Sequence, residues 1–337
     1  MQHSDIILKI PGQFEKAQQA GDLFFFPSTI ETHSEGDIEY QVRLCPALLH
    51  KPTLPTPHFD AADVGVAAHG SRGKVFDPFA PPYNENLYVG ELQDQETQEE
   101  FVVLLNKFSV VPHHFLLVTK EFRSQATPLM PAELVQAYLM LVAAHKAGKR
   151  FFSFYNCGDN SGASQAHKHI QFIPVEDNDG PPLERLARKA RIEFEDRPFA
   201  LSNLPYASHT ARLPSDMSTL SAERMEATIA SMFIQLLDLC ISTVRHDPEY
   251  PSGSPSYNVI LTLEHLHIVP RKRETYILNE TGDTLNINSL GFAGLLLVKS
   301  ENELEAVKRE GVGKILRGVA LESVHNKQCD SVFLDPV

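Results

Sequence analysis

Basic residues are in short supply: 30 Lys+Arg stand against 43 Asp+Glu, a formal net charge of −13 over 337 residues. Non-specific nucleic-acid binding, which needs a basic footprint, is therefore excluded, and so is a basic membrane-surface protein. Cysteine is scarce as well. Cys45, Cys157, Cys240 and Cys329 are scattered, so a Cys-type zinc site fails on spacing and a disulfide scaffold fails on number. Long apolar runs are missing. Leu23–Phe26, Phe101–Leu105, Phe115–Val118 and Leu295–Val298 are far shorter than the roughly 20 residues that span a bilayer. Met1-Gln2-His3-Ser4-Asp5 has no basic segment leading into an apolar one, so no signal peptide is expected. There is no internal repeat. The remainder, 42% hydrophobic and 22% charged, suits a soluble globular chain with a sizeable core in one or two domains. The expected location is the cytoplasm, with the nucleus as a second one. No nucleic-acid or membrane partner is expected, and the oligomeric state is open.

Periodicity places helices over residues 4–20, 131–148, 221–246, 301–310 and 312–324. Alternating or short apolar runs place strands at Glu39–Leu44, Leu87–Val89, Phe101–Leu105, Phe115–Thr119, Phe151–Tyr155, His167–Val175, Tyr257–Leu263, His265–Val269 and Leu295–Lys299. Residues 53–82, rich in Pro and Gly, read as a mobile loop. The stretch 176–218 is polar and proline-punctuated, a boundary or an excursion. Strands in hairpin-like pairs with helices between groups favour a mixed α/β (α+β) fold with an antiparallel sheet over a doubly wound parallel one.

The chemistry concentrates in Gly162-Ala163-Ser164-Gln165-Ala166-His167-Lys168-His169-Ile170-Gln171. On a strand, His167, His169 and Gln171 share one face. The small-residue run from Asn156 to Ser164 can aim backbone N–H groups at an anion. A neutral imidazole is a good nucleophile toward phosphorus, a second histidine can orient it, and a glutamine amide can donate to a phosphoryl oxygen. Taken alone, a His-x-His strand is also compatible with core packing or with metal ligation. A second pair, His265-Leu266-His267, leaves open a four-histidine metal site joining the two pairs, or a plain half-exposed strand. No third ligand lies near His167 and His169, so no metal is expected there. Lys51, Lys107, Lys168, Arg271 and Lys299 are the candidates for a locally basic site, which a polyphosphate needs on so acidic a protein.

At these residues the sequence resembles the fungal ATP adenylyltransferases, or diadenosine tetraphosphate phosphorylases, of the histidine-triad superfamily and its galactose-1-phosphate-uridylyltransferase-like branch. Asn106 to Phe122, Phe154 to Gln171, Ser256 to Thr262, Val269-Pro270-Arg271 and Asn288 to Lys299 carry the likeness in order. The resemblance implies a histidine-triad-like antiparallel sheet core with packed helices. It divides the chain into an N-terminal catalytic region, 1–185, and a C-terminal ATP adenylyltransferase region, 210–325, that completes the nucleotide site. It implies phosphorolysis of diadenosine tetraphosphate to ATP and ADP through an AMP–histidine intermediate, with ADP sulfurylase chemistry as a side activity. His169 matches the nucleophile, His167 its partner, and Gln171 the place of the third triad histidine. Lys51, Asn106, Lys107, Asn156, Gly162, Ala163, Ser164, Gln165, Asn288, Ser289, Leu290, Leu295 and Lys299 match nucleotide or phosphate contacts. No tightly bound cofactor is implied, and Mg²⁺ would arrive on the substrate polyphosphate. One departure stands out. The family has Trp in the strand before Val-Pro-Arg, whereas this chain has no Trp and His265 stands there. A hexose-1-phosphate uridylyltransferase-like enzyme and a non-enzymatic dinucleotide binder are the alternatives.

Overall fold

The computed structural model describes residues 1–50, 77–175 and 179–323. Lys51 and most of the expected loop 53–82 lie outside the described residues, but its end, 77–82, lies within them. The helices are α1 (His3–Gln19), α2 (Pro131–Lys146), α3 (Pro182–Lys189), α4 (Ala222–Arg245), α5 (Ser289–Ala293), α6 (Glu301–Glu310) and α7 (Val312–Val319). The strands are β1 (Phe24–Phe25), β2 (Thr29–Glu35), β3 (Ile38–Leu44), β4 (Tyr88–Gln93), β5 (Glu100–Leu105), β6 (Phe108–Ser109), β7 (Phe115–Thr119), β8 (Phe151–Cys157), β9 (His169–Pro174), β10 (His209–Arg212), β11 (Ser256–Leu261), β12 (His265–Arg271), β13 (Thr275–Ile277), β14 (Thr284–Asn286) and β15 (Leu295–Val298).

Eight strands form one sheet in the order β10-β12-β11-β8-β9-β7-β5-β4. Every pairing in it is antiparallel, so the expected mixed fold with an antiparallel core is what forms. The sheet takes strands from both halves of the chain. A second sheet, β15-β3-β2, ties them again, because β15 pairs parallel with β3.

The period-2 alternation of side chains gives the large sheet two faces. Val103, Leu105, Phe115, Leu117, Ile170, Phe172, Val259 and Ile268 pack on one face beneath α1, α2 and α4. On the other face, Phe152, Phe154, Ile260 and Val269 join the core formed with β3, β15, α3 and α5–α7. Farther along, Val102, Leu104, Leu116 and Val118 meet Phe79, Tyr83 and Tyr88. His169 stands on β9 between these last two apolar patches.

Local chemistry explains the elements. α1 buries Ile6, Ile7, Ile10, Phe14 and Ala17 at helical spacing and tolerates Pro11. Proline removes the donor that would bond the Ile7 carbonyl, and Lys149 Nζ donates to that carbonyl instead, at 3.3 Å. α2 begins at Pro131, where Glu133 accepts the Met130 N–H at 2.8 Å. By length and composition α4 could cross a membrane. Here its stripe of Met225, Ile229, Phe233, Leu236 and Cys240 is core. The polar stretch 176–218 holds α3 and β10 as an excursion, elements too short to carry a periodic signal.

Candidate active site

The site is built where β8 and β9 stop pairing. Their register runs from Phe151 opposite Pro174 to Phe154 opposite Gln171. Beyond that point, fully buried Gln125 bridges the gap. Its Oε1 accepts the His169 N–H at 2.8 Å, and its Nε2 donates to the carbonyls of Asn156 at 2.8 Å and His169 at 3.3 Å. His169 thus opens the strand, one residue pair later than the sequence suggests. His167 precedes it in an isolated bridge with Ser124.

The nucleophile candidate has a defined tautomer. His169 Nδ1 lies 2.8 Å from the His167 carbonyl oxygen. A carbonyl only accepts, so Nδ1 carries the hydrogen and Nε2 carries the lone pair. Burial pushes the His169 pKa down to about 4, with the bond to His167 opposing the shift. The ring is neutral at pH 7. No hydrogen bond to Nε2 is present among the described residues.

His167 is held from both sides. Its Nδ1 meets Asp77 Oδ2 at 2.8 Å, and its Nε2 meets the Thr119 carbonyl at 2.7 Å. The Phe79 ring centroid lies 5.0 Å from that of His169, and Phe122 lies 5.3 Å from His167. Residues 77–79 therefore cover the histidines. Gln171 Oε1 is 3.1 Å from His114 Nε2, and His114 Nδ1 is 2.9 Å from Asn106 Nδ2.

Asn156 sits in β8 on the same sheet face. Its Oδ1 accepts from Ser289 N–H at 3.0 Å, Ser289 Oγ at 2.6 Å and Asn258 Nδ2 at 2.8 Å. Its Nδ2 is buried with no partner among the described residues, a donor left over for a bound group. Gly162, at φ +79°, explains how the small-residue loop comes in. A Cβ there would stand 2.6 Å from the Ile287 carbonyl and 2.8 Å from Asn288 Cβ, so only glycine permits the approach. Asn156, Gly162, Asn288 and Ser289 are thereby brought together. Ala163 is buried, Gln165 half-buried and Ser164 exposed.

Other expected contacts are used elsewhere. Asn288 Oδ1 caps α5 by accepting Leu290 N–H at 2.9 Å. Leu290 and Leu295 lie in the core under β3 and β15. Lys299 is half-buried just beyond β15. Lys107 is exposed, its ammonium 5.9 and 5.8 Å from the Phe24 and Phe108 ring centroids.

Two of the five expected basic contacts need correction. Lys168 points to the opposite face, buried, with Glu133 at 2.7 Å and the Pro128 carbonyl at 2.7 Å. Burial raises the Glu133 pKa and Lys168 pulls it back. Arg271 is fully buried. It donates to Asn258 Oδ1 and to the carbonyls of Ser161, Arg273 and Ile287. It braces the loop and Asn288 from behind, and burial pushes its pKa down to about 9.

The four histidines do not converge. β8 and β11 separate β9 from β12, roughly 14 Å at ordinary strand spacing. His265 Nδ1 and His267 Nε2 instead flank Glu184, at 2.9 and 3.5 Å. Burial alone would raise the Glu184 pKa, but the bonds to both histidines hold it well below the usual carboxylate range. Glu184, Glu264 and His265 offer ligand atoms within 4.8 Å of one another. Arg188 supplies the positive charge there, 3.7 Å from Glu184 and bonded twice to Glu264.

Residues 1–189 match the model for the Ap4A phosphorylase N-terminal domain, and residues 202–322 match the ATP adenylyltransferase C-terminal domain. The chain belongs to the Ap4A phosphorylase family. A relative from Saccharomyces cerevisiae, diadenosine 5',5'''-P1,P4-tetraphosphate phosphorylase 2, is 32% identical over 79% of this chain and 78% of its own length. The crystal structure of yeast Ap4A phosphorylase Apa2 in complex with AMP superposes with a TM-score of 0.75 at 28% identity, over 94% of this chain and 97% of that one. The Apa2 complex with Ap4A gives 0.74 at 27% identity, over 96% and 99%.

Asp77, His114, Thr119 and Gln125 were not foreseen as site residues. His114 read as part of a turn after Pro112, and Gln125 has no pattern around it. Both act through partners distant in sequence.

Proposed function

We propose that this Ap4A phosphorylase family chain splits diadenosine tetraphosphate with inorganic phosphate in two displacements at His169. Nε2 attacks the α-phosphorus of one adenylyl end. The bond from that phosphorus to the bridging oxygen breaks, and ATP leaves with the oxygen. A phosphate oxygen then attacks the AMP–His169 adduct, the P–N bond breaks, and ADP leaves. Mg²⁺ enters with the polyphosphate as part of the substrate. Splitting one hard transfer into two is the advantage of a covalent nucleophile.

The observation that carries this reading is the His169 Nδ1 bond to the His167 carbonyl at 2.8 Å, which leaves a neutral ring with its lone pair on Nε2. Asn156 Nδ2 and the Gln171 amide are the donors on the same face for phosphoryl oxygens. Family membership supports the nucleotide substrate, since the relative with known Ap4A binding covers nearly the whole chain.

The test is incubation with diadenosine tetraphosphate, with and without phosphate, followed by chromatography and by analysis of the His169 peptide for an acid-labile, base-stable adenylyl group. Equal ATP and ADP appearing only with phosphate, together with the adduct, is the expected result. AMP with ATP in the absence of phosphate would make the protein a hydrolase. Tight binding without turnover would make it a dinucleotide binder, and a preference for uridine would make it uridylyltransferase-like.

A further inference from the structure

We infer that His114 is a positioning residue that sets the polarity of the Gln171 amide, and so decides that its NH₂ group, not its oxygen, faces the reacting phosphoryl group. The inference rests on the phosphoryl-transfer reading above and follows from a chain of hydrogen bonds with only one consistent direction. Asn106 Nδ2 stands 3.3 Å from the Phe108 carbonyl and 2.9 Å from His114 Nδ1. The carbonyl can only accept, so the nitrogen end of the Asn106 amide is fixed at that end. That nitrogen can only donate, so His114 Nδ1 is the acceptor and the ring hydrogen sits on Nε2. Nε2 lies 3.1 Å from Gln171 Oε1 and donates to it. The Gln171 NH₂ is what remains for the substrate.

His114 is 3% exposed, and its ring lies 6.5 Å from that of Phe154. Among the described residues it reaches the His169 face through the Gln171 amide. Register places Gln171 and His169 two residues apart on β9, opposite Leu116 and Val118, so the oriented amide and the nucleophile share one face. An amide without its anchor can turn over and bring an oxygen against the phosphoryl oxygens. The expected loss is therefore in turnover, not in nucleotide binding. It should stay below the loss from deleting the Gln171 amide itself, about 100–1,000-fold.

The test is steady-state phosphorolysis of diadenosine tetraphosphate by His114→Ala and His114→Gln, each alone and combined with Gln171→Ala. His114→Ala should lower kcat about 10–100-fold with KM nearly unchanged. His114→Gln, whose amide nitrogen can stand near the lost Nε2–H, should recover most of it. In the Gln171→Ala background, His114→Ala should change kcat less than about twofold, the non-additivity of residues acting as a unit. Independent, multiplying losses, or equal damage from Ala and Gln, would reduce His114 to packing and overturn the inference. A second readout needs no turnover. In ¹⁵N-histidine NMR of the wild-type protein, His114 should appear as the Nε2–H tautomer, and an Nδ1–H tautomer would overturn the relay. Wild-type protein with the Nε2–H tautomer but no phosphorolysis would fault the function reading and leave the relay standing.

Discussion

The His167–His169 and His265–His267 pairs share a spacing and a strand setting. They also share a sheet face, since register runs from His267 through Ile260 and Phe154 to Gln171. What separates them is the acceptor each ring meets. His169 gives its Nδ1 hydrogen to the carbonyl two residues back, a neutral acceptor that fixes the tautomer and leaves the other nitrogen for chemistry. His265 and His267 turn toward the Glu184 carboxylate that α3 inserts between them. Thr262 Oγ1 donates to that carboxylate at 2.9 Å, and Thr210 Oγ1 lies 3.0 Å from His267 Nδ1. One pair leaves the His169 Nε2 without a hydrogen bond among the described residues; the other is tied into the core. The lesson is that a His-x-His strand acquires its role from the groups the fold brings against it.

The largest effect should come from breaking the reactive pair. His169→Asn keeps the fold and lowers turnover by three or more decades, as for other catalytic nucleophiles. Purified variant with matching circular dichroism and a tenth of wild-type turnover would rule out the covalent route.

The equivalent blow to the second pair should fall on stability instead. Glu184→Ala leaves two buried histidines without their shared acceptor and should cost about 3 kcal/mol. Chemical denaturation should show this, while turnover per folded molecule stays within about twofold. A large loss of turnover at unchanged stability would erase the distinction drawn between the pairs.

Acid separates folding from chemistry. His169 and His209 are both pushed down to about 4 by burial. Their folded pKa values lie below the unfolded value of about 6.5, so the unfolded state binds more protons between those limits. The stability they contribute is fully present above pH 6.5 and is lost as pH falls toward 4. The His169 ring itself stays neutral over most of that window. Thermal melts should therefore drop between pH 6.5 and 5 while turnover of the folded enzyme holds. An acid limb of kcat/KM near 6.5 would mean that His169 is solvated during catalysis.

The smallest effect belongs to an exposed charge. Lys107→Ala should weaken nucleotide binding several-fold and change kcat little, because a screened surface lysine contributes about 1 kcal/mol or less. Titration calorimetry with diadenosine tetraphosphate checks this, and unchanged affinity would remove Lys107 from the phosphate contacts.

Much of this molecule is legible from sequence. Helical spacing marked α1, α4 and α6, because each buries a stripe repeated every three or four residues; α2, buried nearly all round, was marked by its length and by Pro131 and Gly148 at its ends. Apolar runs marked β5, β7, β8, β11, β12 and β15, whose side chains are nearly all buried. β2 stayed hidden because its residues are half-exposed and polar, and α3 because eight residues hold little more than two turns. His167, His169 and Gln171 announced themselves because a period of two along the chain is a local property, even though His167 falls just ahead of β9.

By itself, then, the sequence determined the antiparallel class, the helices with buried stripes and the shared spacing of His167, His169 and Gln171. Tertiary structure alone decided the rest. It placed Gln125 in the gap between β8 and β9, spent Arg271 on bracing the loop from behind, and set Asp77 against His167. It also inserted Glu184 between the second histidine pair. The physical reason is that spacing fixes which face a side chain takes, whereas the acceptor it meets there comes from a segment dozens of residues away.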